Sequence, residues 1–107
     1  MTGLKKNTDF AKVYRQGRSR ADRNLVLYTM DNSLPESRIG ISVSKKTGNS
    51  VVRHRIKRRL KEIYRLNESL FCSGKDFVVI ARPNAAEADY HELEQSLLKL
   101  MKVRSAT

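Results

Sequence analysis

Residues 45–65, KKTGNSVVRHRIKRRLKEIYR, decide how this chain is read, because nine Lys or Arg stand there against one acid, Glu62, around a Gly-Asn-Ser turn. Asn49 or Ser50 caps a helix, and Val52, Ile56, Leu60, Ile63 and then Leu66 or Asn67 fall on one stripe. That spacing predicts a long amphipathic helix over residues 50–70. Turned by about 100° per residue, the stripe centres on Ile56, with His54, Arg58, Lys61 and Arg65 opposite it. Arg53 and Arg55 emerge on the flanks, Lys57 lies between Arg53 and Lys61, and Arg59 lies beside the stripe with its stem buried and its head turned outward. Solvated helix faces ordinarily mix signs and gain about 0.2–0.5 kcal/mol per i,i+4 pair. Here Lys57 and Lys61 repel while Arg58 and Glu62 attract, and repulsion dominates the surface. A one-signed cluster of this density creates a potential of several kT and draws in polyanions.

The remainder of the chain carries the same bias. Among 107 residues, 22 Lys and Arg outnumber 11 Asp and Glu, for a formal net charge of +11, so nucleic acid is the expected partner. A membrane surface also attracts cations, but no apolar run of about 18 residues exists to span a bilayer. The first residues, MTGLKKNTDF, lack the apolar segment of a secretory signal, which makes a cytoplasmic location the expectation. The length fits one domain, residues 1–107, built on one core. A disordered basic tail is excluded by the periodic apolar runs. Cys72, the single cysteine, has no partner for a disulfide and no zinc-ligand spacing around it, and reads as a small core or near-surface residue.

Outside the basic segment the periodicities change. Asn7 and Thr8 are N-cap residues, Phe10, Val13 and Tyr14 recur at i, i+3 and i+4, and Gly17 stands where a left-handed C-cap belongs, giving a helix over 8–16. Leu25, Leu27 and Thr29 alternate with Val26, Tyr28 and Met30 in a first strand. In a second strand Ile39, Ile41 and Val43 alternate with Gly40, Ser42 and Ser44. Its small-residue face reads either as a solvated or edge face, or as a shallow floor for an extended ligand. Phe10, Tyr14 and Tyr28 read correspondingly as core, or as the rim of that floor. The continuous apolar run FVVIA, residues 77–81, predicts the central strand, buried on both faces. Asp89 caps a last helix reaching about residue 103, in which Tyr90, Leu93, Leu97, Leu100 and Met101 recur. Glu92 and Glu94 on its exposed side remove this helix from the nucleic-acid face. The order is α-β-β-α-β-α.

The helix that begins at Gly48, Asn49 and Ser50 offers free N–H groups and a partial positive charge, a phosphate seat continuous with Lys45 and Lys46 before it and Arg53, Arg55, Lys57 and Arg58 after it. Hydrolytic equipment is thin. His54 lies among arginines, His91 lies on an acidic helical face, and neither has an evident nucleophile or carboxylate partner. No acidic cluster looks able to hold two metal ions, so no catalytic or metal-binding residue is assigned. DNA is not the expected partner, because the charges wrap around both flanks instead of presenting base-reading side chains along one face.

The string KKTGNSVVRHRIKR, residues 45–58, resembles the signature of the protein component of bacterial ribonuclease P, in which two lysines and a Gly-Asn turn lead into an arginine-rich helix. FAKVYRQG at 10–17, Leu27-Tyr28, GISVS at 40–44 and VIAR at 79–82 occur in the family's order and spacing, so the resemblance spans nearly the whole chain. It implies an α/β (α+β) two-layer sandwich, similar to the second domain of a small-subunit ribosomal protein, with a left-handed β-α-β crossover where general chirality favours the right-handed form. It implies an accessory subunit of an endoribonuclease whose active site is RNA, removing the 5′ leader from precursor tRNA with Mg2+ held mainly by the RNA. The resemblance assigns Lys45, Lys46, Gly48, Asn49, Arg53, His54, Arg55, Lys57, Arg58 and Lys61 to the catalytic RNA, and Phe10, Val13, Tyr14, Tyr28 and Ser42 to the leader cleft. His54 departs from the family's usual asparagine, and Ser50 and Lys61 replace alanine and arginine. The alternative is a non-catalytic ribosomal or RNA-assembly protein holding structured RNA on the same fold.

Overall fold

The apolar run at residues 77–81 becomes the middle of a five-stranded sheet in this computed structural model, which describes residues 2–4, 6–71 and 73–105. Chain order is β1 (Thr2–Gly3), α1 (Asn7–Gln16), β2 (Arg18–Ala21), β3 (Leu25–Asp31), β4 (Arg38–Val43), α2 (Ser50–Leu66), β5 (Lys75–Ala81) and α3 (Tyr90–Ser105), and the sheet order is β1-β4-β5-β3-β2. Strand β4 runs parallel to β5 through α2, while β3 and β2 add as antiparallel strands. Cys72 lies outside the described residues.

Alternation along each strand divides the residues between two faces. Leu25, Leu27, Ile39, Val43, Phe77, Val79 and Ala81 meet α2 and α3 in the main core. Val78 from β5 faces the other way and packs with Val13 of α1 and Leu4. The sandwich of sheet and long helices is therefore extended by a short helix on the opposite face. From α2, Ile56, Leu60, Ile63 and Tyr64 are buried, each contributing roughly 1.5–3 kcal/mol of apolar burial. Tyr64 is outside the expected stripe, and its ring stacks on Phe71 at 5.4 Å and meets Phe77 edge-on at 6.2 Å. Burial pushes its hydroxyl up to about 12.

Several boundaries differ from the sequence expectations. Helix α2 stops at Leu66 because Asn67 turns its side chain back, Nδ2 donating to the Ile63 carbonyl at 2.8 Å, after which Glu68–Leu70 forms a separate 3-10 turn. Leu66 is correspondingly exposed. Helix α1 starts at Asn7, capped by Lys6 without a side-chain bond, so neither Asn7 nor Thr8 caps it. Gly17 is extended, not left-handed. Its glycine identity follows from close packing, since a Cβ there would sit 2.5 Å from the Val13 carbonyl oxygen. Strand β2, RSRA, is exposed along its whole length and shows no apolar alternation by which to recognise it. Asp89 caps α3 as expected, accepting from the Glu92 N–H at 2.8 Å while Glu92 reaches back to the Asp89 N–H.

One charged pair ties the two parallel strands together. Asp76 is 2% exposed and accepts from Arg38 Nε at 2.9 Å and Nη2 at 2.6 Å, and from Asn32 Nδ2 at 2.8 Å. Burial alone would raise its carboxyl, but the bonds from Arg38 and Asn32 outweigh it and hold the group below the ordinary carboxylate value.

Candidate nucleic-acid interface

Lys45–Thr47 forms a 3-10 turn after β4, Thr47 buries itself, and Gly48 leads into the cap of α2. Asn49 Oδ1 accepts from the Val52 N–H at 3.0 Å, which fixes where the helix starts. His54, Lys57, Arg58 and Lys61 then project into solvent, and Arg53, Arg55 and Arg59 are half-buried, as the helical wheel requires. Ser50, Val51, His54, Arg55 and Arg58 line a surface depression of about 520 Å³. Among the described residues no ion pair involves any cation of α2, and the expected Arg58–Glu62 pair is not formed. The Nε atoms of Arg53 and Arg55 are buried without a hydrogen-bond partner. Those buried atoms are closed to an outside partner as they stand, and what these half-buried side chains offer a ligand is their remaining surface, which for Arg55 lines the depression.

A second concavity lies between α1 and α2. Phe10, Tyr14, Ser42 and Lys57 are among the residues lining this groove of about 420 Å³. Tyr14 is 40% exposed and meets Tyr28 edge-on at 5.2 Å and Phe10 at 6.4 Å, so the three rings form one rim. Burial raises the Tyr14 hydroxyl, a hydrogen bond with Ser42 opposes the rise, and the neighbouring Tyr28 adds to it. Beneath the rim the small-residue face of β4 is half covered. Gly40 is buried under Phe10, and a Cβ there would lie 2.5 Å from Phe10 Cζ, leaving Ser42 as the open part of the floor.

These positions revise two assignments. Val13 has no exposed surface and supports the groove from below, so it offers a ligand no contact. Lys57, grouped by the sequence with the cations of the helix, forms part of the groove wall. The two surfaces thus adjoin at Lys57. His54 stays exposed within the arginine-lined depression, and His91 Nδ1 lies 4.0 Å from Glu94, a carboxylate neighbour that the sequence did not reveal. Among the described residues no group of three or more His, Cys, Asp or Glu side chains is arranged to hold a metal ion, and no helix is long and apolar enough to cross a membrane.

The family model described as Ribonuclease P matches residues 2–104. The chain belongs to the ribonuclease P protein family. The ribonuclease P protein component of Alkaliphilus metalliredigens is 54% identical over 99 residues, spanning 92% of this chain and 89% of that one. Among solved structures, the Staphylococcus aureus RNase P protein superposes with a TM-score of 0.90 at 39% identity, covering 97% of this chain and 95% of the other. The RNase P protein of Thermotoga maritima gives 0.88 at 31% identity, covering 96% and 97%. The chain therefore keeps the family fold along its length, with the α+β class and three helices that were expected and two further edge strands, β1 and β2, that were not. The ribonuclease P assignment also favours RNA processing over the alternative of a ribosomal or assembly protein.

Proposed function

We propose that the chain acts as the accessory subunit of an endoribonuclease whose active site is RNA, gripping the catalytic RNA with α2 and holding the 5′ leader of precursor tRNA in the groove between α1 and α2. The observation that carries this reading is the cationic surface of α2, none of whose Lys or Arg side chains has a carboxylate acceptor within ion-pair distance among the described residues. A partner rich in phosphate oxygens supplies the missing acceptors, and the planar guanidinium fork suits them. Lys45, Lys46, His54, Arg58 and Lys61 extend the same surface along the turn and the exposed side of the helix.

The groove meets a different requirement. Leader sequences vary, and stacking on aromatic rings contributes about 1–3 kcal/mol per base without reading its identity. Tyr14 and Tyr28 provide the rings, Ser42 the polar floor, and Lys57 a phosphate contact at the wall. Magnesium, which the family resemblance attaches to the reaction, is held mainly by the RNA in this reading. What the protein contributes is position and charge: holding the leader fixes the substrate relative to the catalytic RNA, and its cations offset phosphate repulsion that magnesium would otherwise screen. The cytoplasm is the compartment consistent with this role.

Tyr14→Ala and Tyr28→Ala test the groove. Both are expected to weaken affinity of the reconstituted complex for precursor tRNA by about tenfold, the lower part of the stacking range, while affinity for mature tRNA is unchanged. Equal losses for the two substrates would mean that the rings only support the fold.

A further inference from the structure

A second group of cations lies away from α2, on a strand with no apolar residue larger than alanine. Arg18 and Arg20 sit on β2, whose four residues are all exposed and which ends the sheet, so one of its edges has no neighbouring strand. No carboxylate lies within ion-pair distance of either arginine among the described residues.

Register decides what each face of this strand offers. Ser19 pairs with Tyr28 and Ala21 with Val26, so the side continuous with the aromatic rim carries only small residues. Arg18 pairs with Thr29 and Arg20 with Leu27, so both arginines leave from the other side of the same free edge, their Cα atoms about 6.6 Å apart by strand geometry. That separation is close to the spacing of successive phosphates in an extended polynucleotide. Arg18 also lines a depression of about 380 Å³ with Gln16, Thr29, Met30 and the mutually paired Asp31 and Lys75, which leaves Arg18 as its cation without an ion pair among the described residues, and the Thr29 hydroxyl in its wall is buried without a hydrogen-bond partner. The depression and the rim are on opposite faces of the sheet, because Thr29 and Tyr28 are consecutive on β3, so a strand running from one to the other passes around the free edge of β2.

We propose that the free edge of β2 is a second RNA-backbone surface, which takes a single strand leaving the aromatic groove past Tyr28, over Ser19 and Ala21, onto Arg18 and Arg20. It rests on the groove being a single-strand site and extends that site's footprint by two phosphates. Charge at a strand edge also blunts edge-to-edge pairing between copies, a role that needs no nucleic acid. The two roles separate by their dependence on RNA length, because a short strand fills the groove without reaching β2.

The test is fluorescence anisotropy of labelled oligouridylates, roughly four and roughly twelve nucleotides long to span the usual range of single-strand site sizes, binding the intact chain and its Arg18→Gln/Arg20→Gln variant. The short strand is expected to bind both proteins equally. For the long strand, losing two phosphate contacts lowers the log–log salt slope by about 1.4, so the wild-type advantage shrinks about sevenfold as salt rises from about 50 to about 200 mM. Identical slopes and affinities for the long strand would overturn the proposal, as would a variant whose sole change is increased self-association. Tyr14→Ala/Tyr28→Ala in the same assay addresses the groove separately. An unchanged affinity for the short strand would overturn the groove reading, while a length-dependent loss in the arginine variant would still uphold the edge as an RNA surface.

Discussion

Gly40 is where packing and ligand surface meet in a single residue. Its missing Cβ lets the Phe10 ring settle on β4, and Gly40→Ala drives that ring outward from a 2.5 Å contact. The expected outcome is a loss of about 1–3 kcal/mol in stability from overpacking, measured by urea unfolding, together with weaker binding of short single-stranded RNA. Unchanged RNA affinity would argue that Phe10 has no part in the rim. Asp76 carries the clearest pH signature. Its folded-state carboxyl lies below the ordinary value of 3.8, so the stability it contributes is present above that value and is lost as pH falls through the folded-state value. Asp76→Asn is expected to destabilise the chain by about 3 kcal/mol at neutral pH, the lower end for breaking a buried pair because Arg38 keeps 26% of its side chain exposed. Urea midpoints at pH 7 and pH 3 should show the gap between variant and wild type narrowing in acid. A constant gap would contradict the linkage. Nothing in the sequence pointed to the Arg38–Asp76 pair, because two residues 38 positions apart meet only once the β4–β5 register is set.

Local periodicity carries an element only as far as the element has a buried face. Helix α2 was legible from its apolar stripe, from Asn49 at its start and from the small turn before it, and β5 was legible as a continuous apolar run. Strand β2 was not, because an edge strand exposed along its length has nothing to alternate. The end of α2 was misread because the carbonyl that Asn67 captures cannot be inferred from composition. Two predictions belong to this helix. Asn49→Ala removes the bond to the Val52 N–H and should cost about 1 kcal/mol of stability by thermal or urea unfolding. Arg53→Gln and Arg55→Gln should leave stability nearly unchanged yet flatten the salt dependence of assembly with the catalytic RNA by roughly 0.7–0.9 per lost phosphate contact. A steep slope retained in both variants would remove these side chains from the RNA surface.

Across the whole molecule, the sheet divides two packing jobs and brings two surfaces side by side. Helices α2 and α3 close the main core on one face, and α1 covers part of the other with its aromatic side chains at the groove. The residues of the candidate surfaces could be picked out in the sequence and its family resemblance, but their grouping could not: Lys57 lines the groove and Val13 lies in the core once the helices are placed. On the proposed reading, a helix that grips RNA beside a groove that holds the leader lets the chain contribute to leader removal through position and charge. The most direct test is the rate of 5′-leader removal from precursor tRNA by a bacterial catalytic RNA at low magnesium, with and without this chain. Strong acceleration by the wild-type chain, lost in Arg53→Gln/Arg55→Gln, is the predicted result. A rate unaffected by the chain, with an RNA that is active alone at high magnesium, would contradict the account.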